Sequence, residues 1–252
     1  MKKLSVLAPA KVNLYLNVCA KRADGYHDIE SVMQTVSLFD RLTVIKNDAN
    51  GVKNISLSCR DHKIPSDERN LVYRAALRFF AENGITEYDV SFILEKKIPS
   101  EAGLGGGSSD AAATLLALDR LYETGLSLET LCAIGAKIGA DVPFCVKGGA
   151  AYADGRGERL KDIANMPECY IAVACEGEGV STPWAYGMLD KVYNRFADYE
   201  PRSTKKLEDA LEAVDIFGVS EAMFNIFEAP VLSERPVAAD VKRLIEIGRA
   251  HV

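Results

Sequence analysis

The most informative stretch of this sequence is Pro99-Ser100-Glu101-Ala102-Gly103-Leu104-Gly105-Gly106-Gly107-Ser108-Ser109-Asp110. It follows a predicted strand and leads directly into a predicted helix. Glycines allow positive φ angles and a close approach of the backbone to a ligand. A helix that begins here adds its unpaired N–H groups and the positive end of its dipole. Residues 99–109 are therefore predicted to hold a polyphosphate, and Ser109 is a candidate ligand for a metal ion.

Two known phosphate-binding motifs do not fit this stretch. A Walker A loop has a lysine directly after its second glycine, and no lysine follows the glycines here. The dinucleotide fingerprint G-x-G-x-x-G fails because the sixth position, counted from Gly103, is Ser108. A flexible glycine loop without a ligand is the alternative interpretation.

A second candidate region is the segment 12–18, in which apolar and polar residues alternate. This period of two predicts a half-buried strand with the even positions facing the core. Lys11, Asn13, Tyr15 and Asn17 would then share the opposite face. Lys11 and Asn13 would reach a cleft from this face, whereas a solvated edge strand is the alternative.

The remaining pattern predicts an α+β fold. Strands are predicted at 42–45, 55–59 and 88–96, and helices over 67–83, from 108 or 109, after Ser127, after Thr182-Pro183, and over 205–214, 219–227 and 237–247. Strands dominate the first hundred residues, and the later part mixes strands with helices. This order differs from the regular alternation of a doubly wound sheet.

Two shorter motifs carry side chains suited to chemistry. Tyr26 and His27 follow an Asp-Gly pair that is typical of a hairpin turn. Asp141 lies between a predicted helix end and a predicted apolar strand. It is either a cap or turn residue, or a carboxylate at the mouth of a cleft that acts as a general base.

Composition excludes several classes of protein. The chain has 252 residues, 48% hydrophobic and 26% charged, which predicts one large globular domain or two small ones. The net charge of −6 argues against nucleic-acid binding. No apolar run reaches the ~20 residues of a membrane span. Six cysteines without a C-x-x-C pair indicate a cytoplasmic protein, and His27, His62 and His251 show no zinc spacing.

Several of these segments together resemble the GHMP kinases. They are A-P-A-K-V-N-L at 8–14, R-A-D-G-Y-H at 22–27, the glycine-serine stretch, and G-A-D-V-P-F at 139–144. They stand in the order and spacing of this superfamily, and the resemblance runs from about residue 8 to 228. It is closest to the branch that acts on a cytidyl diphosphate derivative of methylerythritol in non-mevalonate isoprenoid biosynthesis.

The resemblance implies a two-domain fold with the active site in the interdomain cleft. Residues 1–160 would form the ATP-binding domain, and residues 161–252 the C-terminal domain. The family's late glycine-serine motif is absent, so this second domain is expected to be truncated. A further departure is Asn225-Ile226-Phe227-Glu228, where the family usually has an acidic second residue.

The resemblance also implies a role for each candidate residue. Asp141 would be the catalytic base, and Lys11 would stabilise the incipient alkoxide. Residues 99–109 would hold the phosphates of ATP together with Mg²⁺. The small-molecule substrate, cytidyl diphosphate methylerythritol, would contact Asn13, Tyr26, His27, Thr182 and Tyr186.

Two alternative functions are also compatible with the sequence. Another GHMP kinase, of the homoserine or mevalonate type, would share the glycine-serine stretch. A non-catalytic nucleotide-binding protein would be consistent with the missing late motif. A homodimer is compatible with the sequence, and no membrane or nucleic-acid partner is expected.

Overall fold

A long antiparallel hairpin organises the fold. The structure is a computed structural model that describes residues 1–61, 63–175, 179–192 and 203–249. Its first two strands, β1 (Lys2–Lys21) and β2 (His27–Lys46), pair along nearly their whole length. The predicted hairpin turn at Tyr26 joins them, and the predicted strand 42–45 is the end of β2. His62 and His251 lie outside the described residues.

Five more strands complete the sheet in the described part of the chain. They are β3 (Lys53–Cys59), β4 (Tyr88–Glu95), β5 (Ala150–Asp154), β6 (Arg159–Asp162) and β7 (Phe224–Asn225). The main order is β3-β4-β2-β1-β7, with β3 parallel to β4 and β7 parallel to β1. One half of β2 pairs with β4, and the other half pairs with β5, which in turn pairs with β6.

Most helices follow the predicted pattern with shifted ends, and two more, at 142–147 and 228–234, are additional to it. In the described residues they are α1 (Leu71–Glu82), α2 (Gly106–Tyr122), α3 (Leu128–Ala136), α4 (Val142–Lys147), α5 (Thr182–Val192), α6 (Thr204–Glu212), α7 (Ile216–Ala222), α8 (Glu228–Glu234) and α9 (Pro236–Arg249). Ser127 caps α3 by accepting a hydrogen bond from the Thr130 N–H, as predicted. The α+β fold class is confirmed.

The central helix is α2, which packs against α1, α4 and β1. The side chains along most of its length are buried, and many of them are alanines: Ala111, Ala112, Ala113 and Ala117. Small side chains let the helix approach its neighbours closely. The glycine-serine stretch at the start of α2 is thereby held against β1, the strand that carries Lys11.

Strand β1 does not keep a simple alternation of faces. Its register with β2 shifts between Pro9 and Lys11, and again between Asn13 and Tyr15. Such a bulge adds a residue to one strand and changes which face the following side chains occupy. Leu14 and Tyr15 are consequently both buried in one apolar cluster. The prediction that Tyr15 shares the face of Lys11 and Asn13 is therefore wrong.

Three predicted elements need correction. The helix predicted over 219–227 ends at Ala222, and Phe224 and Asn225 form β7 instead. The apolar strand predicted after Asp141 is the short helix α4, in which Pro143 occupies a first-turn position that suits proline. The second predicted helix begins at Gly106, so Ser108 and Ser109 lie in its first turn and do not cap it.

Two further observations concern organisation. Strand β6 crosses the predicted boundary between 160 and 161, and β7 pairs with β1; the division into two domains stays a prediction. Within the described ranges, every helix is too short or too polar to cross a bilayer.

Candidate active site

The structure brings Lys11 and Asp141 together. The Lys11 Nζ atom lies 3.4 Å from Asp141 Oδ2, and the lysine side chain is buried, whereas the carboxylate is partly exposed. Asp141 occupies the N-cap position of α4, but its side chain makes no capping hydrogen bond. Its carboxylate is therefore not used as a helix cap, and it faces the lysine at the edge of the protein surface.

Hydrogen bonds from two directions fix Lys11. Its Nζ donates to Asn13 Oδ1 at 2.5 Å, and the Asn13 amide donates to the Ser31 hydroxyl at 2.7 Å. Its backbone N–H donates to the Leu104 carbonyl at 3.0 Å. Asn13 was expected at the cytidyl end of the substrate, but its contacts in this structure place its amide against Lys11.

The glycine-serine stretch wraps around the stem of Lys11. Gly105 precedes α2 with φ of 68°, and a Cβ atom there would lie only 2.9 Å from Lys11 Cγ. Only glycine combines this left-handed conformation with so close an approach. The first N–H groups of α2 have no acceptor inside the helix and point out of its beginning. Such a site suits phosphate groups.

The two serines of the stretch differ in exposure. The Ser109 hydroxyl is buried, and among the described residues it has no hydrogen-bond partner. Ser108 is half-buried. The described part of the chain contains no group of three or more His, Cys, Asp or Glu side chains arranged to hold a metal ion. A role for Ser109 as a metal ligand stays a prediction.

A buried charge cluster lies under the glycine-serine stretch and was not predicted. Lys96 forms ion pairs with Asp40 and with Asp110, the latter at 2.8 Å, and all three side chains are buried. Asp40 also accepts hydrogen bonds from the Lys97 and Ile98 N–H groups at 2.5 and 2.9 Å. The cluster thereby ties β2 and the entry of the loop to the first turn of α2.

The two carboxylates of this cluster are not equivalent. Burial raises the pKa of Asp110 to about 7, although the Lys96 ammonium acts in the opposite direction. Asp110 Oδ1 is buried without a hydrogen-bond partner among the described residues. For Lys96, burial lowers the pKa, but the two carboxylates outweigh it and the pKa lies above its ordinary value.

The raised pKa of Asp110 predicts a pH-dependent stability. Between about pH 4 and 7 the folded chain keeps a proton on Asp110 that the unfolded chain has released, so this group destabilises the fold progressively as pH rises. Asparagine does not titrate, so we expect the free energy of unfolding of Asp110→Asn, relative to that of the parent protein, to increase as pH rises from about 4 to 7. Urea unfolding at pH 5 and pH 8 measures the difference. A stability difference that is the same at both pH values would contradict the assignment.

A second group of predicted residues meets at the hairpin turn. His27 is buried, its Nε2 atom lies 2.8 Å from Asp190 Oδ1, and its ring stacks on Tyr186 with a centroid distance of 4.8 Å. The Phe227 ring packs edge-on against the Tyr186 ring, with a centroid distance of 4.9 Å. Tyr26, which precedes His27, is 58% exposed. The stacked pair therefore lies next to an exposed tyrosine.

Asp190 joins the hairpin to α5 and was missed by the sequence analysis. It lies four residues after Tyr186, so both side chains project from one face of α5, and it also pairs with Lys21 at 2.5 Å. Partial burial raises the pKa of Asp190, but Lys21 and His27 bring it below its ordinary value. Only an unusual Tyr-x-x-x-Asp spacing on a predicted helix could have indicated this residue.

The two groups lie within electrostatic range of each other. Burial raises the pKa of Tyr186 to about 12, and the Asp141 carboxylate adds to this effect. Thr182 is exposed as the first residue of α5, and the carbonyl of Ser181 accepts the first helical hydrogen bond, so Ser181 rather than Thr182 stands at the cap. The site thus has a lysine–carboxylate end and an aromatic end.

Comparisons with known proteins identify the family of this chain. Residues 70–149 match the family described as GHMP kinases N terminal domain. A 4-diphosphocytidyl-2-C-methyl-D-erythritol kinase of Listeria welshimeri is 41% identical over 251 residues, which are 98% of this chain and 82% of the relative. A crystal structure of 4-(cytidine 5'-diphospho)-2C-methyl-D-erythritol kinase superposes with a TM-score of 0.73 at 34% identity, covering 97% of this chain and 84% of that one.

A more distant structure shares the fold alone. Homoserine kinase from Cytophaga hutchinsonii has a TM-score of 0.57 at 19% identity, covering 88% of this chain and 71% of that one. The protein is accordingly a small-molecule kinase with the GHMP kinase fold. Within that class it belongs to the 4-diphosphocytidyl-2-C-methyl-D-erythritol kinase family. The predicted family is confirmed.

Proposed function

We propose that this chain transfers the γ-phosphoryl group of ATP to the 2-hydroxyl of 4-diphosphocytidyl-2-C-methyl-D-erythritol, a step of isoprenoid precursor biosynthesis. The observation that carries the proposal is the Lys11–Asp141 pair, packed against a glycine-rich helix start in a chain of this family. Family membership favours this substrate over homoserine or mevalonate, since the homoserine kinase shares only the fold.

The residues present suit phosphoryl transfer. This reaction needs positioning and charge stabilisation more than covalent chemistry. Asp141 accepts the proton of the attacking hydroxyl, and Lys11 stabilises the negative charge that develops on its oxygen. Asn13 holds the lysine Nζ in place through its 2.5 Å hydrogen bond. The carboxylate and the ammonium therefore act on the same oxygen from adjacent positions.

The helix start fits the phosphates of ATP. The N–H groups at the beginning of α2 and the backbone around Gly105 offer donors without a side chain in the way. Mg²⁺ neutralises phosphate charge when bound, and it takes most of its ligands from phosphate and water in such enzymes. Among the residues of α2, Ser109 would supply a ligand to Mg²⁺, because its hydroxyl has no hydrogen-bond partner among the described residues.

The experiment that tests the proposal is a phosphoryl-transfer assay with three acceptors. The cytidyl diphosphate methylerythritol substrate, homoserine and mevalonate are each supplied with ATP and Mg²⁺. We expect turnover of the first acceptor only. Turnover of another acceptor would identify a different GHMP kinase, and ATP binding without turnover in a folded sample would identify a nucleotide-binding protein.

Tyr186 tests the aromatic end of the site. If Tyr26 and Tyr186 stack on the cytosine ring, Tyr186→Ala weakens binding of the cytidyl substrate roughly 5- to 150-fold, because a base–aromatic stack is worth about 1–3 kcal/mol. Affinity for ATP stays the same, and Tyr186→Phe serves as the matched control that keeps the ring. Calorimetric titration with each ligand measures both affinities.

The contacts of Tyr186 also fit a purely structural role, which predicts a different result for Tyr186→Ala. Its ring already stacks on His27 and packs against Phe227, and it is mostly buried. A purely structural role would lower the melting temperature and reduce affinity for ATP and the cytidyl substrate alike.

Three further properties stay predictions: the division into two domains, a cytoplasmic location and a homodimer. Gel filtration of the purified protein tests the homodimer.

A further inference from the structure

A tight turn between β5 and β6 lies beside both ends of the site. In the turn Gly155-Arg156-Gly157, the Gly155 carbonyl accepts a hydrogen bond from the Ile29 N–H at 2.7 Å. Gly157 has φ of 109°, and a Cβ atom there would lie 4.0 Å from the Ala140 Cβ. The turn is therefore packed against the residue that precedes Asp141, on one side, and against the strand that begins at His27, on the other.

Arg156, at the tip of this turn, carries a positive charge beside Tyr26 and within coulombic range of the Asp24 carboxylate. Its guanidinium carbon lies 5.2 Å from the centroid of the Tyr26 ring. Its side chain is half-buried, and its guanidinium makes no hydrogen bond or ion pair with the residues that the structure describes. The neighbouring arginines differ, because Arg22 pairs with Asp24 and Asp28, and Arg159 pairs with Asp154.

We propose that Arg156 binds the diphosphate group of the cytidyl substrate, an inference that rests on the function proposed above. In that substrate the diphosphate joins the base to the sugar alcohol that is phosphorylated. The turn lies against Ala140, next to Asp141, the proposed base that acts on the substrate hydroxyl. Arg156 lies over one face of Tyr26, which is proposed to contact the cytosine ring. A planar guanidinium makes paired hydrogen bonds to phosphate oxygens, which suits this position.

The face of Tyr26 opposite the arginine is then available for the cytosine ring. Arg156 would support the tyrosine from behind by a cation–π contact while its N–H groups reach the phosphates. The exposed Tyr26 side chain would gain a fixed orientation from this contact. Arg156 is thus a specificity-determining residue for a nucleoside diphosphate over an unphosphorylated nucleoside.

Binding of cytidine and of CDP separates this role from a structural one. We expect the parent protein to bind CDP more tightly than cytidine, and Arg156→Gln to weaken CDP binding about ten- to a hundredfold. Cytidine affinity is expected to stay unchanged. Arg156→Lys keeps the charge without the planar fork, so we expect an intermediate loss. Arg159→Gln, three residues further on, is the matched control and leaves both affinities unchanged.

Two results would overturn the inference. The parent protein would bind CDP and cytidine equally, or Arg156→Gln would leave the ratio of the two affinities unchanged, whether both stay the same or both fall alike. Each of these leaves the proposed kinase activity standing if the cytidyl substrate is still phosphorylated by the parent protein. If the parent protein neither binds CDP and cytidine nor phosphorylates that substrate, the proposed function itself is wrong.

Discussion

Asp141→Asn is expected to lower turnover about 10²–10⁴-fold while ATP affinity persists, because general-base assistance is worth that much. Asparagine retains the size of the side chain, but it removes the negative charge that lies 3.4 Å from Lys11 Nζ and cannot take the proton of the hydroxyl. Asp141 makes no capping hydrogen bond to α4, so the change removes little that holds the helix. Steady-state kinetics and ATP titration of the same sample measure both effects.

A second lysine–carboxylate pair provides the control for this variant. Asp162 pairs with Lys147 at 2.8 Å, but it is exposed on β6. Asp162→Asn therefore removes a surface ion pair of the kind that contributes little to stability, and kcat stays close to that of the parent. If Asp141→Asn also retained a near-parental kcat, Asp141 would not be the base, and Lys11 alone would have to account for the chemistry.

Local patterns in the sequence predicted the structure correctly where one element carries all the information. The glycine-serine stretch predicted positive φ angles and a helix start, and Gly105 has φ of 68° directly before α2. Its approach to phosphates stays a prediction. The alternation at 12–18 predicted a strand, and the apolar stripe over 67–83 predicted α1, although the helix begins at Leu71 rather than at 67. Each of these signals lies within one element, where side-chain period and turn chemistry are sufficient.

The predictions were wrong where strand register determines which face a side chain occupies, and where a short apolar run fits either a strand or a helix. The bulge before Tyr15 is set by the register of β1 against β2, which no pattern within β1 reveals. The apolar run after Asp141 is short, and such runs do not distinguish a buried strand from a buried helix. Pro143 favoured the helix because its first turn requires no N–H from that residue.

The missed residues of the site belong to contacts between distant parts of the chain. Asp40 lies on β2 and Lys96 follows β4, so their pairing depends on how these strands align in the sheet. His27 and Asp190 are 163 positions apart, and only the packing of α5 on the hairpin brings them together. A single sequence carries no signal for such pairs, whereas the family resemblance pointed to His27 and Tyr186 without their arrangement.

Gly105→Ala is the smallest change that tests the glycine-serine stretch. Alanine at this position would have to adopt the left-handed φ of 68°, and its Cβ atom would lie 2.9 Å from Lys11 Cγ. Such backbone strain costs about 1–3 kcal/mol, and displacing a reacting group by about 1 Å can cost about 10²-fold in rate. We expect kcat/KM to fall about 10²- to 10³-fold, with weaker ATP binding, as measured by kinetics and titration.

Gly107→Ala is the control that separates this effect from a general loss of glycine. Gly107 lies in the first turn of α2, its φ is ordinary, and a Cβ there would meet only Leu71 Cδ1 at 3.4 Å, a normal contact. Alanine also favours the helix by about 1 kcal/mol over glycine, so Gly107→Ala should be at least as stable as the parent and should leave Lys11 in place. If Gly105→Ala were folded and equally active, neither the left-handed turn nor the position of Lys11 would matter to phosphoryl transfer, and the phosphate-holding role of the stretch would have to be abandoned.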